Sequence, residues 1–261
     1  MELLRALEEA WGGVLTLLDG LADEVWDRPT PCEGWSVRDI TAHLGHIEGI
    51  AHGYPQPPTP DEFDPSSFGS FHVLTEEGVA ARRPLPVSDV VGEVTTAAEA
   101  TLQQIGGYDE EAWQQPVPSP VGMVPAHQAA EIRMSDVLVH LLDLRAALGM
   151  PVSAEAEPTA EDILTDRALR LSGWGAVKGA ALPDGTRIHI SIEGRDPQDL
   201  VIRDRKGHLV EPSGDPDGTV TGPGLAFALA AAGRNALAEA AGGVVVEGGA
   251  AVAFLEGYRL F

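Results

Sequence analysis

Three side chains in this sequence have the types and spacing of a cation site. They are His43 in one predicted helix, and Asp136 and His140, four residues apart, in a distant one. Two neutral imidazoles and a carboxylate are a common protein complement for a divalent ion that keeps positions open for chemistry. Residues i and i+4 share a helix face, so Asp136 and His140 can reach one ion. At 100° per residue, Arg133, Asp136, His140 and Asp143 fall within roughly 80° of one another. Met134, Val137, Leu138, Val139, Leu141 and Leu142 cover most of the remaining circumference. From periodicity alone, so narrow a polar stripe reads more readily as the solvent side of an amphipathic helix. In a bundle the same stripe can line an internal cleft, where metal sites are built. His43 lies at the edge of its helix's apolar face, a place where a lone histidine is usually structural. His46 and His52 read as surface residues.

These side chains need rigid elements to position them. A helix is predicted over 1–24 from Leu3, Leu4, Leu7, Trp11, Val14, Leu15, Leu18 and Leu21. Ser36 with Asp39 forms a carboxylate version of the capping box, and Trp35 with Ile40 takes the positions of a hydrophobic staple. The helix they open runs to about Gly53. Residues 54–72 read as a long loop, followed by a short helix near 74–82 and a long one over 87–106. A second loop, 107–126, leads into the helix over 127–148, which stops at Gly149-Met150-Pro151.

Four long helices in the first 150 residues predict a helical bundle, and Pro151–Pro158 reads as a linker. The second half changes pattern. A helix over 159–175 precedes a strictly alternating strand at 187–193, with further strands near 200–204, 209–211, 219–221 and 244–247. Helices are expected over 222–232 and 250–256. The chain therefore divides into a helical domain, 1–150, and an α+β domain, 151–261.

Composition narrows the partners. The net charge is −23, and only 17 of 261 residues are basic. Such a chain has little with which to neutralise phosphates, which argues against nucleic acid and anionic membranes. No apolar run reaches spanning length, and the first residues read directly as helix, so the expected location is the cytoplasm. The single cysteine, Cys32, excludes an intramolecular disulfide and a multi-cysteine zinc site, and reads as a buried packing residue.

Two stretches together resemble a known family. Thr30-Pro31-Cys32-Glu33-Gly34-Trp35-Ser36-Val37-Arg38-Asp39, followed by His43-Leu44, is similar to the opening signature of the mycothiol-dependent maleylpyruvate isomerase family, of the DinB-like metal-binding superfamily. Arg133-x-x-Asp136-x-x-x-His140-x-x-Asp143-Leu144-Arg145 resembles the family's second signature. Val220-Thr221-Gly222-Pro223, Gly233-Arg234 and Val246-Glu247-Gly248 resemble its smaller domain.

The resemblance implies a DinB-like four-helix bundle and a C-terminal α+β domain resembling sterol carrier proteins, which closes the substrate cleft. It implies a divalent metal, zinc or similar, on His43, Asp136 and His140, and mycothiol as the nucleophile. This chain has Asp136 where the family usually has Glu, one methylene longer. The helix then sits closer to the ion, holds it more weakly, or does not bind it.

A thiol that reaches such a metal is deprotonated at neutral pH. Added reversibly to an activated alkene, it isomerises it; left attached to an electrophile, it is transferred. Arginines suit a carboxylate substrate because their planar fork matches it bidentately. Arg82 and Arg83, at the end of the long loop, and Arg234, which matches an arginine of the family's second domain, are the candidates for this catalytic role. The expected protein is a thiol-dependent transferase or isomerase acting on a small electrophile, as monomer or homodimer. The alternatives are a family member recruited to a biosynthetic reaction with its metal site altered or unused, and a non-enzymatic carrier of an apolar ligand.

Overall fold

The computed structural model describes residues 2–52 and 68–260. The chain forms two compact units, Met1–Met150 and Pro151–Phe261. Among the described residues, the first is mainly helical and carries one hairpin. It contains α1 (Glu2–Leu18), α2 (Val37–Ala51), α3 (Phe68–Arg82), α4 (Val87–Gly106), α5 (Glu110–Gln114), β1 (Pro116–Ser119), β2 (Gly122–Pro125) and α6 (Ala126–Ala147). α1 packs on α6 and α4, and α2 packs on α4, α3 and α6. α1 is shorter than its apolar spacing predicts. It stops at Leu18, Gly20 follows with φ +70, and Asp23–Val25 form a separate 3-10 turn.

The stretch before α2 is a tight, hydrogen-bonded turn. The Thr30 amide donates to the Trp35 carbonyl at 3.0 Å, and the Trp35 amide donates to the Cys32 carbonyl at 3.0 Å. Gly34 supplies the left-handed backbone the turn requires, at φ +83. Ser36 then caps α2, and the full capping box with Asp39 is present.

Sequence and structure part over α2. Every residue from Asp39 to His46 is buried, so α2 is a central helix with no solvent face along this stretch. His46, expected at the surface, is 0% exposed. Two glycines make room for this. Gly45 brings α2 against the Val94 backbone of α4, and Gly78 of α3 leaves a space filled by the His46 ring. His52, also expected at the surface, is half-buried and hydrogen-bonds Thr101 Oγ1 at 2.7 Å.

Of the predicted 54–72 loop, residues 54–67 lie outside those described, and α3 begins at Phe68, earlier than its predicted start. The predicted 107–126 loop contains α5, capped by Asp109, and the β1–β2 hairpin. Both are too short for periodicity to reveal.

The second unit joins α7 (Pro158–Trp174), extended by a π turn at Gly175–Gly179, to a five-stranded sheet. Its strands are β3 (Arg187–Ile192), β4 (Gln198–Arg203), β5 (Lys206–Val210), β6 (Gly218–Gly222) and β7 (Val245–Glu247), in the order β5-β4-β3-β6-β7. β3 and β6 run parallel, and the other pairs are antiparallel. α8 (Gly224–Ala231), α9 (Asn235–Ala240) and α10 (Gly249–Gly257) complete the unit. Ile188, Ile190, Leu200, Val220, Phe227, Phe254 and Tyr258 form its core. Among the described residues, no helix is long and apolar enough to cross a membrane.

Candidate metal centre

The structure brings His43 of α2 and Asp136 and His140 of α6 together inside the first unit. One ligand atom from each lies within 4.8 Å of the others. His43 Nε2 is 3.2 Å from Asp136 Oδ2, and His140 Nε2 is 3.6 Å from Asp136 Oδ1. Both imidazoles are buried, and the carboxylate is only partly exposed. The polar stripe of α6 therefore faces inward, the reverse of what its periodicity favours. Asp143, at its far end, is fully buried.

The donor set fits a divalent cation. His140 Nδ1 is 3.1 Å from Asp143 Oδ2, and a carboxylate beside one ring nitrogen holds the proton there. The Nε2 lone pair of His140 is thereby aimed at an Asp136 oxygen, two electron-rich atoms facing each other. A cation between them resolves that juxtaposition. Burial pushes the His43 imidazole down to about 4 against the pull of Asp136, so at neutral pH it is the uncharged form that ligates metals. Burial alone would raise the Asp136 carboxyl. The hydrogen bond from His43 and the Arg133 guanidinium outweigh it and hold the group well below the usual carboxylate range. The shorter aspartate reaches both rings without a glutamate's extra methylene.

Behind Asp136 lies a chain of buried and half-buried partners. Arg133 Nη1 donates to Asp136 Oδ2 at 2.7 Å, and Arg133 Nε donates to Glu48 Oε1 at 2.8 Å. The hydroxyl of Thr101 donates to the other Glu48 oxygen, and His52 lies beyond it. Burial lowers the Arg133 pKa, but Glu48 and Asp136 outweigh it, and the guanidinium is held more firmly charged. Glu48 is buried in α2 and was not singled out by its sequence position. Its spacing from His43 would not mark it, because nothing in a single helix's periodicity shows a face covered by other helices.

Trp35 closes the site on another side. Its ring centroid lies 4.9 Å from that of His43 and 5.8 Å from that of His140, where the two rings stack. Its indole N–H donates to Glu76 Oε1 of α3 at 2.9 Å. The large apolar ring shields the imidazoles from water while its polar edge is satisfied elsewhere.

The three candidate arginines have other surroundings. Arg82 is buried and forms a fork with Glu93 of α4, with Nη1 also reaching His46 Nδ1 at 3.2 Å and the Gly78 carbonyl at 2.9 Å. Arg83 Nε pairs with Asp39 Oδ1 at 2.9 Å, at the start of α2. Arg234 belongs to the second unit, where it precedes α9 and its amide donates to the Leu229 carbonyl at 2.8 Å.

Residues 7–145 match the family of the mycothiol maleylpyruvate isomerase N-terminal domain. The chain belongs to this family. The matched span contains all three converging donors and the Arg133–Glu48 pair. Two proteins of Mycobacterium tuberculosis named as uncharacterized, one from strain CDC 1551 / Oshkosh and one from strain H37Rv, are relatives. Each is 25% identical over 170 residues, which is 65% of this chain and 80% of theirs. The fold is shared with crystal structures of the mycothiol-dependent maleylpyruvate isomerase and of a histidine-to-alanine mutant of it. Their TM-scores are 0.60 and 0.62 at 17% and 16% identity, covering 94% of this chain and 91% of each of theirs.

Proposed function

We propose that this family member is a metal-dependent enzyme that uses mycothiol, or a similar thiol, either to isomerise an activated cis alkene or to transfer sulfur to an electrophile. The observation that carries the reading is the convergence of His43, Asp136 and His140 under Trp35, inside the span that matches the family. A divalent cation held by these residues, zinc by the chemistry of the donor set, would supply a Lewis acid that keeps a thiol as its thiolate.

The chain's own residues have separable tasks in this reading. His43 presents a neutral imidazole. Asp143 fixes the His140 tautomer so that Nε2 faces the site. Arg133 and Glu48 hold the Asp136 carboxylate in one orientation. Trp35 keeps water from the His43 and His140 rings. The six helices fit a DinB-like bundle built on α1, α2, α4 and α6. The C-terminal sheet with its covering helices fits a sterol-carrier-like domain. Arg234, at the Gly233-Arg234 pair that resembles the family's smaller domain, is the candidate for a substrate carboxylate; Arg82 and Arg83 pair with Glu93 and Asp39 inside the first unit and position α2, α3 and α4.

The test is metal analysis coupled to a thiol-dependent assay. The purified protein should hold one equivalent of divalent metal, lost in His140→Ala. With mycothiol it should isomerise maleylpyruvate or conjugate an electrophile, and lose that activity with the metal. A protein that stays metal-free after zinc addition and shows no thiol-dependent turnover overturns the reading.

A further inference from the structure

The His140 ring has a second edge, and its surroundings form a second donor set. One ligand atom from each of Cys32, His140 and Asp143 lies within 4.8 Å of the others. Asp143 is fully buried and sits 3.1 Å from His140 Nδ1, on the side of the ring away from Nε2 and Asp136. Cys32 is not on a loose loop. The Thr30 hydroxyl accepts from the Cys32 amide at 3.2 Å and donates to the Trp35 carbonyl at 2.9 Å, and the Cys32 carbonyl accepts from the Trp35 amide at 3.0 Å. The turn that opens α2 therefore fixes the Cys32 backbone, and its thiol lies beside His140 and Asp143 of α6.

We propose that Cys32, His140 and Asp143 form an alternative position for a thiophilic divalent cation. Sulfur selects ions such as zinc, cobalt or cadmium over magnesium or calcium, and the buried carboxylate offsets the charge. Binding there releases the Cys32 thiol proton to solvent. The His140 proton moves from Nδ1 to Nε2, the nitrogen on the side of Asp136. A neutral imidazole carries one proton, so the two positions exclude each other. An ion on Nδ1 takes His140 out of the first set, and an ion on Nε2 restores the Asp143 hydrogen bond. The chain thus holds one ion at a time, at either edge of one ring, and only the Cys32 position gives it a sulfur ligand from the protein itself.

Cobalt(II) added to the metal-free full chain distinguishes the two positions, because a thiolate ligand adds a sulfur-to-cobalt charge-transfer band in the near ultraviolet. Asp136→Ala should bind cobalt with that band, and His43→Ala should do the same should Asp136→Ala fail to fold. Adding Cys32→Ser to either should abolish the band and the binding. Cys32→Ser alone should still bind one equivalent, without the band. A folded Asp136→Ala or His43→Ala protein that binds no cobalt, or binds it without a sulfur band, overturns the proposal. Loss of all binding in Cys32→Ser, with binding intact in His43→Ala, would instead sink the first donor set and leave this one standing.

Discussion

The Asp136 carboxylate meets His43 and Arg133 on one oxygen and faces His140 with the other, so its position is set from three sides. A longer side chain at this point has no slack to use. Asp136→Glu should push the carboxylate into the imidazoles or off Arg133, and weaken cation affinity by about tenfold or more, in the range seen when a ligand's supports are disturbed. Competition titration against a chromogenic chelator reads this directly, and tighter binding would show that the aspartate is too short after all. Glu48 acts one step further back. Glu48→Gln leaves a half-buried guanidinium with one compensating carboxylate, a loss of about 2 kcal/mol, below the range for a fully buried pair. Urea unfolding should show that loss, and cation affinity should fall with it. An affinity unchanged while stability drops would make Glu48 a packing residue with no hold on the site. Of these residues, His43, Asp136 and His140 were legible through the two stretches that resemble the family's signatures, since spacing alone favoured a solvent-facing stripe and a structural histidine. Glu48 was not, because its role depends on an arginine 85 positions away.

At the scale of elements, the turn before α2 and the turn's cap do most of the positioning. Asp39 has two jobs: it closes the capping box with Ser36 and receives Arg83. Burial raises its pKa, but the Arg83 and Ser36 hydrogen bonds outweigh this and lower it from 3.8. A carboxyl depressed on folding stabilises above its unfolded pKa, and that contribution disappears as pH falls through the folded value. Asp39→Asn should therefore cost about 1 kcal/mol at pH 7, the scale of a lost cap. The gap to the wild type should narrow as pH falls below the ordinary aspartate range and close only once it passes beneath the depressed folded value, where Asp39 itself becomes protonated. Thermal unfolding across pH 3 to 7 checks it, and a gap independent of pH would assign the loss to packing alone. The cap and the α4 and α6 boundaries were readable because their signals are local. The burial of α2 on every side was not, since Gly45 and Gly78 act only through the helices opposite them. His46 was misplaced for that reason. α5, α9 and the hairpin escaped because each is shorter than the window in which a period can be seen.

For the whole molecule, charge and unit structure set the expectations. A net charge of −23 on 261 residues makes self-repulsion a standing cost, and salt screens it. The melting temperature should rise by several degrees between low salt and about 0.5 M sodium chloride. A flat response would mean that local ion pairs such as Arg195 with Asp162 and Asp166 already balance the surface. The division at Met150 bears more directly on function. Every donor of both cation sets, and every partner that orients them, lies before that boundary, whereas Arg234 lies after it. Residues 1–150 also carry their own buried core, from Trp11 and Leu7 through Leu44 to Met134, Leu138 and Leu142. Expressed alone, that segment should fold and bind cobalt with the affinity of the full chain. On the role proposed for Arg234, that segment should also lose thiol-dependent turnover. Arg234→Ala in the full chain should reproduce the split, with cation binding unchanged and KM raised tenfold or more, the scale of one lost charged hydrogen bond. A folded 1–150 segment that binds no cation would mean that the second unit completes the metal site, and one that turns over substrate normally would remove Arg234 from the reaction.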